Sequence, residues 1–226
     1  MEAKRIDLHT HSLHSDGMLL PSELLRYAET LSFEAIAITD HVDYSNLKFV
    51  LSALKDFNKK QARHFKLKFV LGVEITHVQP HLIKKIAQDA KNFGAKLIIC
   101  HGETPSEPVA KGTNFAAVSN KGLINILAHP GYITEEEALL AKKNDVYLEL
   151  SAKPAHKETN LHVAKIALKT GANLIVNTDA HGPNDLITQE EALKLALLCG
   201  LPEEEAIKAV VENPRKLLKK IGIKLI

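Results

Sequence analysis

Seven short apolar runs recur along this chain, and each delivers a histidine or a carboxylate at its C-terminal end. The runs are Arg5–His9, Ala35–Thr39, Phe69–Glu74, Lys96–Cys100, Leu123–Ala128, Val146–Leu150 and Asn173–Thr178. Near-continuous Ile, Leu, Val and Ala suits strands buried on both faces, as in a parallel sheet. Amphipathic segments separate them. Pro21–Leu31, Asn46–Arg63, Pro80–Phe93 and Glu158–Thr170 carry helical stripes, and Thr134 with Glu137 and Thr188 with Glu191 form capping boxes. The helix from Thr188 is expected to stop at Gly200, before Pro202. A last helix begins near Glu203 and should be interrupted at Pro214. Strands alternating with helices give parallel pairs with right-handed crossovers.

A closed barrel and an open doubly wound sheet both satisfy that pattern. No glycine-rich nucleotide loop follows the first run, which weakens the open sheet. The placement of polar residues favours the barrel. The runs end in His9-Thr-His11, Asp40-His41, Glu74, His101, His129, Glu149 and Asp179-Ala-His181. In a parallel barrel those ends converge on one face, where active sites are built. Histidine is also abundant, 12 residues against 7 Phe, 4 Tyr and no Trp. So many polar groups cannot share a pocket without a large desolvation cost, which divalent cations would relieve. His-x-His on an extended strand end aims both rings to one side, so one metal can take both. Glu74 or Asp179 could bridge. Such a ligand set suits roughly two or three metals that clamp a phosphoryl group and activate water.

Those residues resemble the PHP (polymerase and histidinol phosphatase) superfamily. The resemblance is carried by Asp7-Leu-His-Thr-His-Ser, Ser15-Asp-Gly17, Ile38-Thr-Asp-His41, Gly72-Val-Glu74, His101, Ala128-His-Pro-Gly131 and Thr178-Asp-Ala-His181, in the family's order. It implies an α/β fold, a distorted (β/α)7 TIM-like barrel with parallel strands, and a trinuclear site of Zn, Mn or Fe. By similarity, one metal takes His9, His11, Glu74 and Asp179. A second shares Glu74 and adds His101 and His129. A third takes Asp16, His41 and His181, with His14 close by. His101-Gly-Glu-Thr, Glu107-Pro-Val and Gly112-Thr-Asn114 are similar to small histidinol-phosphatase-like members. The chain is read as a single PHP domain over 1–226, with a barrel core about 4–200 and a C-terminal helical segment about 201–226.

The implied activity is hydrolysis of a small phosphomonoester by a metal-bound hydroxide, with Asp179 and His181 in the reacting centre. His14 or His156 would donate a proton to the leaving oxygen. Lys111, Asn114, Lys153 and His156 lie on loops facing the site and are candidates for contacts to the phosphorylated substrate. Asp40 is expected to orient a ligating histidine, with a place in the metal site itself as the alternative, and Glu149 to support the site or act as a core polar group. His77 and His81 could line the mouth, whereas His64 and His162 fall in helices. One alternative is a phosphodiesterase or nuclease, for which a net charge of +2 and 5% aromatics offer little groove. Another is a non-catalytic metal-binding scaffold. No apolar run approaches the roughly 20 residues of a membrane span. Asp7 and His9 break any signal peptide, and Cys100 and Cys199 alone make no disulfide framework. A cytoplasmic location is expected.

Overall fold

Residues 3–225 are described by a computed structural model. Strands form on the apolar runs: β1 (Ile6–Asp7), β2 (Ala35–Ile38), β3 (His41–Val42), β4 (Lys68–Ile75), β5 (Leu97–His101), β6 (Ile126–Ala128), β7 (Tyr147–Ser151) and β8 (Leu174–Asn177). They pair in parallel in the order β1-β2-β4-β5-β6-β7-β8. The short β3 also lies along β4. His41 stands opposite Glu74 in the register that sets Ala35 opposite Lys68, so β3 continues β2 beyond a break at Thr39–Asp40. The result is a distorted seven-staved barrel.

Between the strands run α1 (Pro21–Thr30), α2 (Leu47–Lys60), α3 (Pro80–Asn92), α4 (Thr113–Val118), α5 (Glu135–Asn144), α6 (Lys157–Thr170) and α7 (Gln189–Leu198). Proline at the first turn starts α1 and α3, where its missing N–H costs nothing. Both capping boxes form: Thr134 accepts from Glu137 N–H and Thr188 from Glu191 N–H. Gly200, at φ +81°, follows α7 as expected.

Two expectations need correction, and one element was not foreseen. The strand expected from Leu123 begins only at Ile126, because Gly122 turns the chain at φ +76°. The last helix is not broken at Pro214: α8 (Glu203–Ile207) passes through a π-helical stretch, Lys208–Glu212, into α9 (Asn213–Lys220). The wider π turn takes up the place of the hydrogen bond that Pro214 cannot donate. The six-residue α4 was unforeseen, since its N-cap is Gly112 and it carries no capping side chain.

Apolar residues pack in two layers. Outer strand faces meet helix stripes such as Leu24, Leu25 and Ala28 of α1 and Ile83, Ile86 and Ala87 of α3. Inner faces, among them Ile6, Leu8, Val70, Ile99 and Ile175, pack with Leu217 and Leu218 of α9, which close the barrel from its far end. Each of these leucines, isoleucines and valines contributes about 1.5–3 kcal/mol of burial.

The barrel closes unusually between its first and last staves. The main chains meet at one bridge, Thr10 to Ala180. Beside it, side chains replace ladder bonds: Leu8 N–H donates to Asn177 Oδ1 (3.0 Å) and Thr178 N–H to Asp7 Oδ1 (3.2 Å). The buried Arg5 guanidinium donates to Asp7 Oδ2 and to the Val176 carbonyl, both at 3.0 Å. Asp7→Ala strands the Arg5 charge in the core and removes an amide acceptor. It should cost about 3–5 kcal/mol in denaturant unfolding; an unshifted midpoint would show that the seam does not need this pair.

Candidate metal centre

Residues at the C-terminal ends of the strands gather at one end of the barrel. Just past β1, Thr10 turns outward to donate to the Ala37 carbonyl (2.6 Å), so His9 and His11 both turn inward. His9 Nδ1–H donates to Glu149 Oε1 (2.8 Å), which leaves Nε2 facing Glu74 Oε2 (3.3 Å) and Asp179 Oδ1 (3.6 Å). Glu149 also accepts from Asn177 and from His129 N–H, so its oxygens are committed to positioning. His11 Nε2 lies 3.0 Å from Asp179 Oδ1 and 3.5 Å from Glu74 Oε2. Glu74 Oε1 faces His129 Nε2 at 3.5 Å, and Glu74, His101 and His129 bring three donor atoms within 4.8 Å of one another.

A more open group lies beside it. Asp16 Oδ2 is 3.1 Å from His181 Nε2 and 3.5 Å from His41 Nε2. The loop bearing Asp16 is folded by Asp40, which accepts from Ser12 N–H, Ser12 Oγ and Ser15 Oγ. Asp40 therefore orients no histidine ring; its oxygens are spent on the turn, and it places Asp16 through the backbone. Gly17 is required there, because a Cβ would stand 2.4 Å from the His11 carbonyl oxygen.

His129 and Asp179 adopt left-handed backbone, φ +27° and +54°, and so does His77 at +53°. Non-glycine residues held there carry strain that the surrounding structure must support. Near His77 the structure adds a group that strand-end reasoning missed. Glu107, on the loop after β5, lies 3.1 Å from His101 Nε2 and 3.3 Å from His77 Nε2. It belongs to no strand end, and its only sequence signal was the Glu107-Pro-Val stretch.

The other candidates divide. His156 is buried, holds Thr104 and Ser106 hydroxyls at Nδ1 (2.9 and 3.1 Å), and turns Nε2 toward Asp179 Oδ2 (3.3 Å). The Lys153 ammonium lies 3.3 Å from the same oxygen. Asn114 is engaged structurally, accepting from Glu103 N–H and donating to the Pro130 carbonyl, so it ties two loops together. Lys111 is exposed at the turn before α4. His14 is not drawn into the cluster; its ring packs edge-on to Phe49 at 6.0 Å. His64 and His81 are exposed, and His162 donates to the Ile133 carbonyl.

The cluster fits divalent cations on its own chemistry. Among the described residues, the buried side-chain nitrogens and oxygens without a hydrogen-bond partner belong, apart from Arg5 and Gln189, to His9, His11, Glu74, His129, His156 and Asp179. Buried unpaired groups of this kind are costly, and a cation would pair them. In the metal-free chain protons do part of that work. Burial opposes a charge on His41, but Glu74 and Asp16 outweigh it and raise its pKa to about 10. His9 likewise stays well above its usual value, as Glu149, Glu74 and Asp179 overcome its burial. Burial dominates at His11, pushing it down to about 3. Despite burial, the histidines hold Glu74 and Asp179 well below the usual carboxylate range. At neutral pH a cation bound at these two rings would therefore displace protons from His41 and His9. Its affinity should rise with pH between about 6 and 9, with one or more protons released per binding event. Calorimetry in buffers of different ionisation enthalpy reads that release directly, and a buffer-independent heat would contradict it.

The PHP domain model matches residues 7–187. An uncharacterized protein of Methanocaldococcus jannaschii is 41% identical over 218 residues, covering 96% of this chain and 100% of that one. Ribonuclease P protein component 3 of Methanosarcina barkeri is 25% identical over 236 residues, covering 96% and 90%. The crystal structure of histidinol phosphate phosphatase from Lactococcus lactis, complexed with zinc, L-histidinol and phosphate, superposes with a TM-score of 0.56 at 15% identity, covering 99% of this chain and 95% of that one. At that identity the superposition speaks for the fold.

Proposed function

The chain belongs to the PHP domain family, and from that premise we propose that it is a metal-dependent phosphoesterase acting on a small, histidinol-phosphate-like phosphomonoester. The observation that carries this reading is the convergence of buried, unpaired His, Glu and Asp donors at one barrel end. His9, His11, Glu74 and Asp179 would hold one cation, Glu74 with His101 and His129 a second, and Asp16, His41 and His181 a third. When bound, zinc, manganese or iron supplies Lewis acidity and charge neutralisation toward a phosphoryl group. Glu149 keeps His9 in the tautomer that offers Nε2 inward. Lys153, now against Asp179, is placed to pair with a phosphoryl oxygen. His156 Nε2 faces the same space and is the group placed to hand a proton to the leaving oxygen. We take residues 201–226 as part of the same unit, because Leu217 and Leu218 of α9 fill the barrel interior. Among the described residues no helix is long and apolar enough to cross a membrane; a cytoplasmic location remains part of the proposal.

The likeness to ribonuclease P protein component 3 over 96% of this chain favours a second reading, in which the barrel serves a nucleic acid as a diesterase or a metal-bearing scaffold. One experiment separates them: phosphate release by Mn²⁺- or Zn²⁺-reconstituted protein from histidinol phosphate, other small monoesters and nucleotide diesters side by side. Turnover of one monoester with diesters inert supports the phosphatase. Cleavage of diesters alone supports the nuclease, and silence on all of them the scaffold.

A further inference from the structure

His101 stands between two three-donor groups. On its inner side are Glu74 and His129; on its outer side are His77 and Glu107, and in each group the donor atoms lie within 4.8 Å of one another. The main-chain carbonyl of Gly102 accepts from His101 Nδ1 (3.1 Å). A carbonyl can only accept, so Nδ1 carries a proton, and in the neutral ring Nε2 is the nitrogen left free to bind a cation. Nε2 faces Glu107 Oε2 at 3.1 Å.

Glu107 is held there from several directions. The same oxygen lies 3.3 Å from His77 Nε2, and the other lies 3.9 Å from His156 Nε2. Its loop is pinned at both ends. Glu103 accepts from Gly112 and Asn114 N–H, both at 2.9 Å. Next to Glu107, Ser106 and Thr104 hold the His156 ring. Gly131 packs against the loop so closely that a Cβ would stand 2.0 Å from the Glu103 carbonyl oxygen. The strained backbone of His77 is what turns its ring over His101, with centroids 5.0 Å apart. A surface ion pair needs none of this support.

We propose that Glu107 is a further ligand of the cation held at His101, that His77 orients it, and that the loop from Gly102 to Gly112 is thereby fastened by metal. The inference rests on the metal-centre reading above. A carboxylate and imidazoles are the donor types that Zn²⁺ and Mn²⁺ accept together. A loop-borne ligand makes the order of that loop depend on metal, which the strand-end donors do not.

The test uses the full chain, stripped and reloaded with Zn²⁺ alone. Glu107→Gln keeps the size and the hydrogen-bonding oxygen but removes the charge. In wild type, tight zinc equivalents are counted against a chromophoric chelator, and limited proteolysis of the 102–112 loop is followed with and without zinc. The expected result is that one equivalent weakens by at least about tenfold in Glu107→Gln, with a smaller loss in His77→Ala. Zinc should protect the loop of wild type but not of Glu107→Gln. Unfolding of the metal-free variants checks that both retain the fold. Equal chelator midpoints and equal protection in wild type and Glu107→Gln would overturn the inference while leaving the metal centre standing. Absence of tight zinc in wild type would instead defeat the metal-centre reading itself, and this inference with it.

Discussion

Asp179→Asn is expected to lower phosphoesterase turnover by at least about 10²-fold, beyond the 10–100-fold usual for groups that only support a ligand. Asp179 holds a left-handed φ of +54°, which asparagine tolerates better than other non-glycine residues, so the backbone should survive. What disappears is a buried negative charge on which His9, His11, His156 and Lys153 all converge. Without it a cation held there would lose a charged ligand, and Lys153 loses the anion that parks it at the site. Steady-state phosphate release and metal content measured together decide the matter. A variant with full turnover would place the chemistry elsewhere in the protein.

Chelation should produce a large change in stability. The buried donors are balanced in the metal-free chain only by a few protons and by one another, so a cation binds the native state far better than the unfolded one. At free metal near a thousand times Kd this linkage is worth about 4 kcal/mol. In a chain of this size each kcal/mol moves Tm by roughly 2–4 °C, so stripping metal should lower Tm by about 8–16 °C. Thermal scans with and without chelator measure it, and coincident curves would mean that folding does not feel the site.

The barrel and most of its proposed donors were legible because both follow from one pattern: apolar runs fix the staves, and parallel staves send every terminal His, Asp or Glu to one face. That rule reaches only strand ends. Glu107 comes from a loop whose path depends on Asn114, Glu103 and Gly131, contacts that only the folded chain makes. His77 was placed at the mouth but not against Glu107, because its orientation rests on a backbone angle that carries no sequence signature. Asn114 and Asp40 were read as site residues for their polarity. Both turned out to satisfy main-chain groups instead, a fate polar side chains share whenever loops are buried. The π stretch before Pro214 was invisible because proline announces an interruption but not how the helix absorbs it.

The side-chain seam between β1 and β8 has a bearing on how the chain assembles. Its contacts join residues about 170 positions apart in sequence: Leu8 with Asn177, Asp7 with Thr178, Thr10 with Ala180. Loop-closure entropy makes such contacts costly to form. His9 and His11 stand on one bank, Asp179 and His181 on the other, so any cation shared between them is a clasp across that opening. Native-state exchange at the Leu8, His11 and Thr178 amides would then report the clasp directly, opening readily in stripped protein and only with global unfolding once the metal is in place.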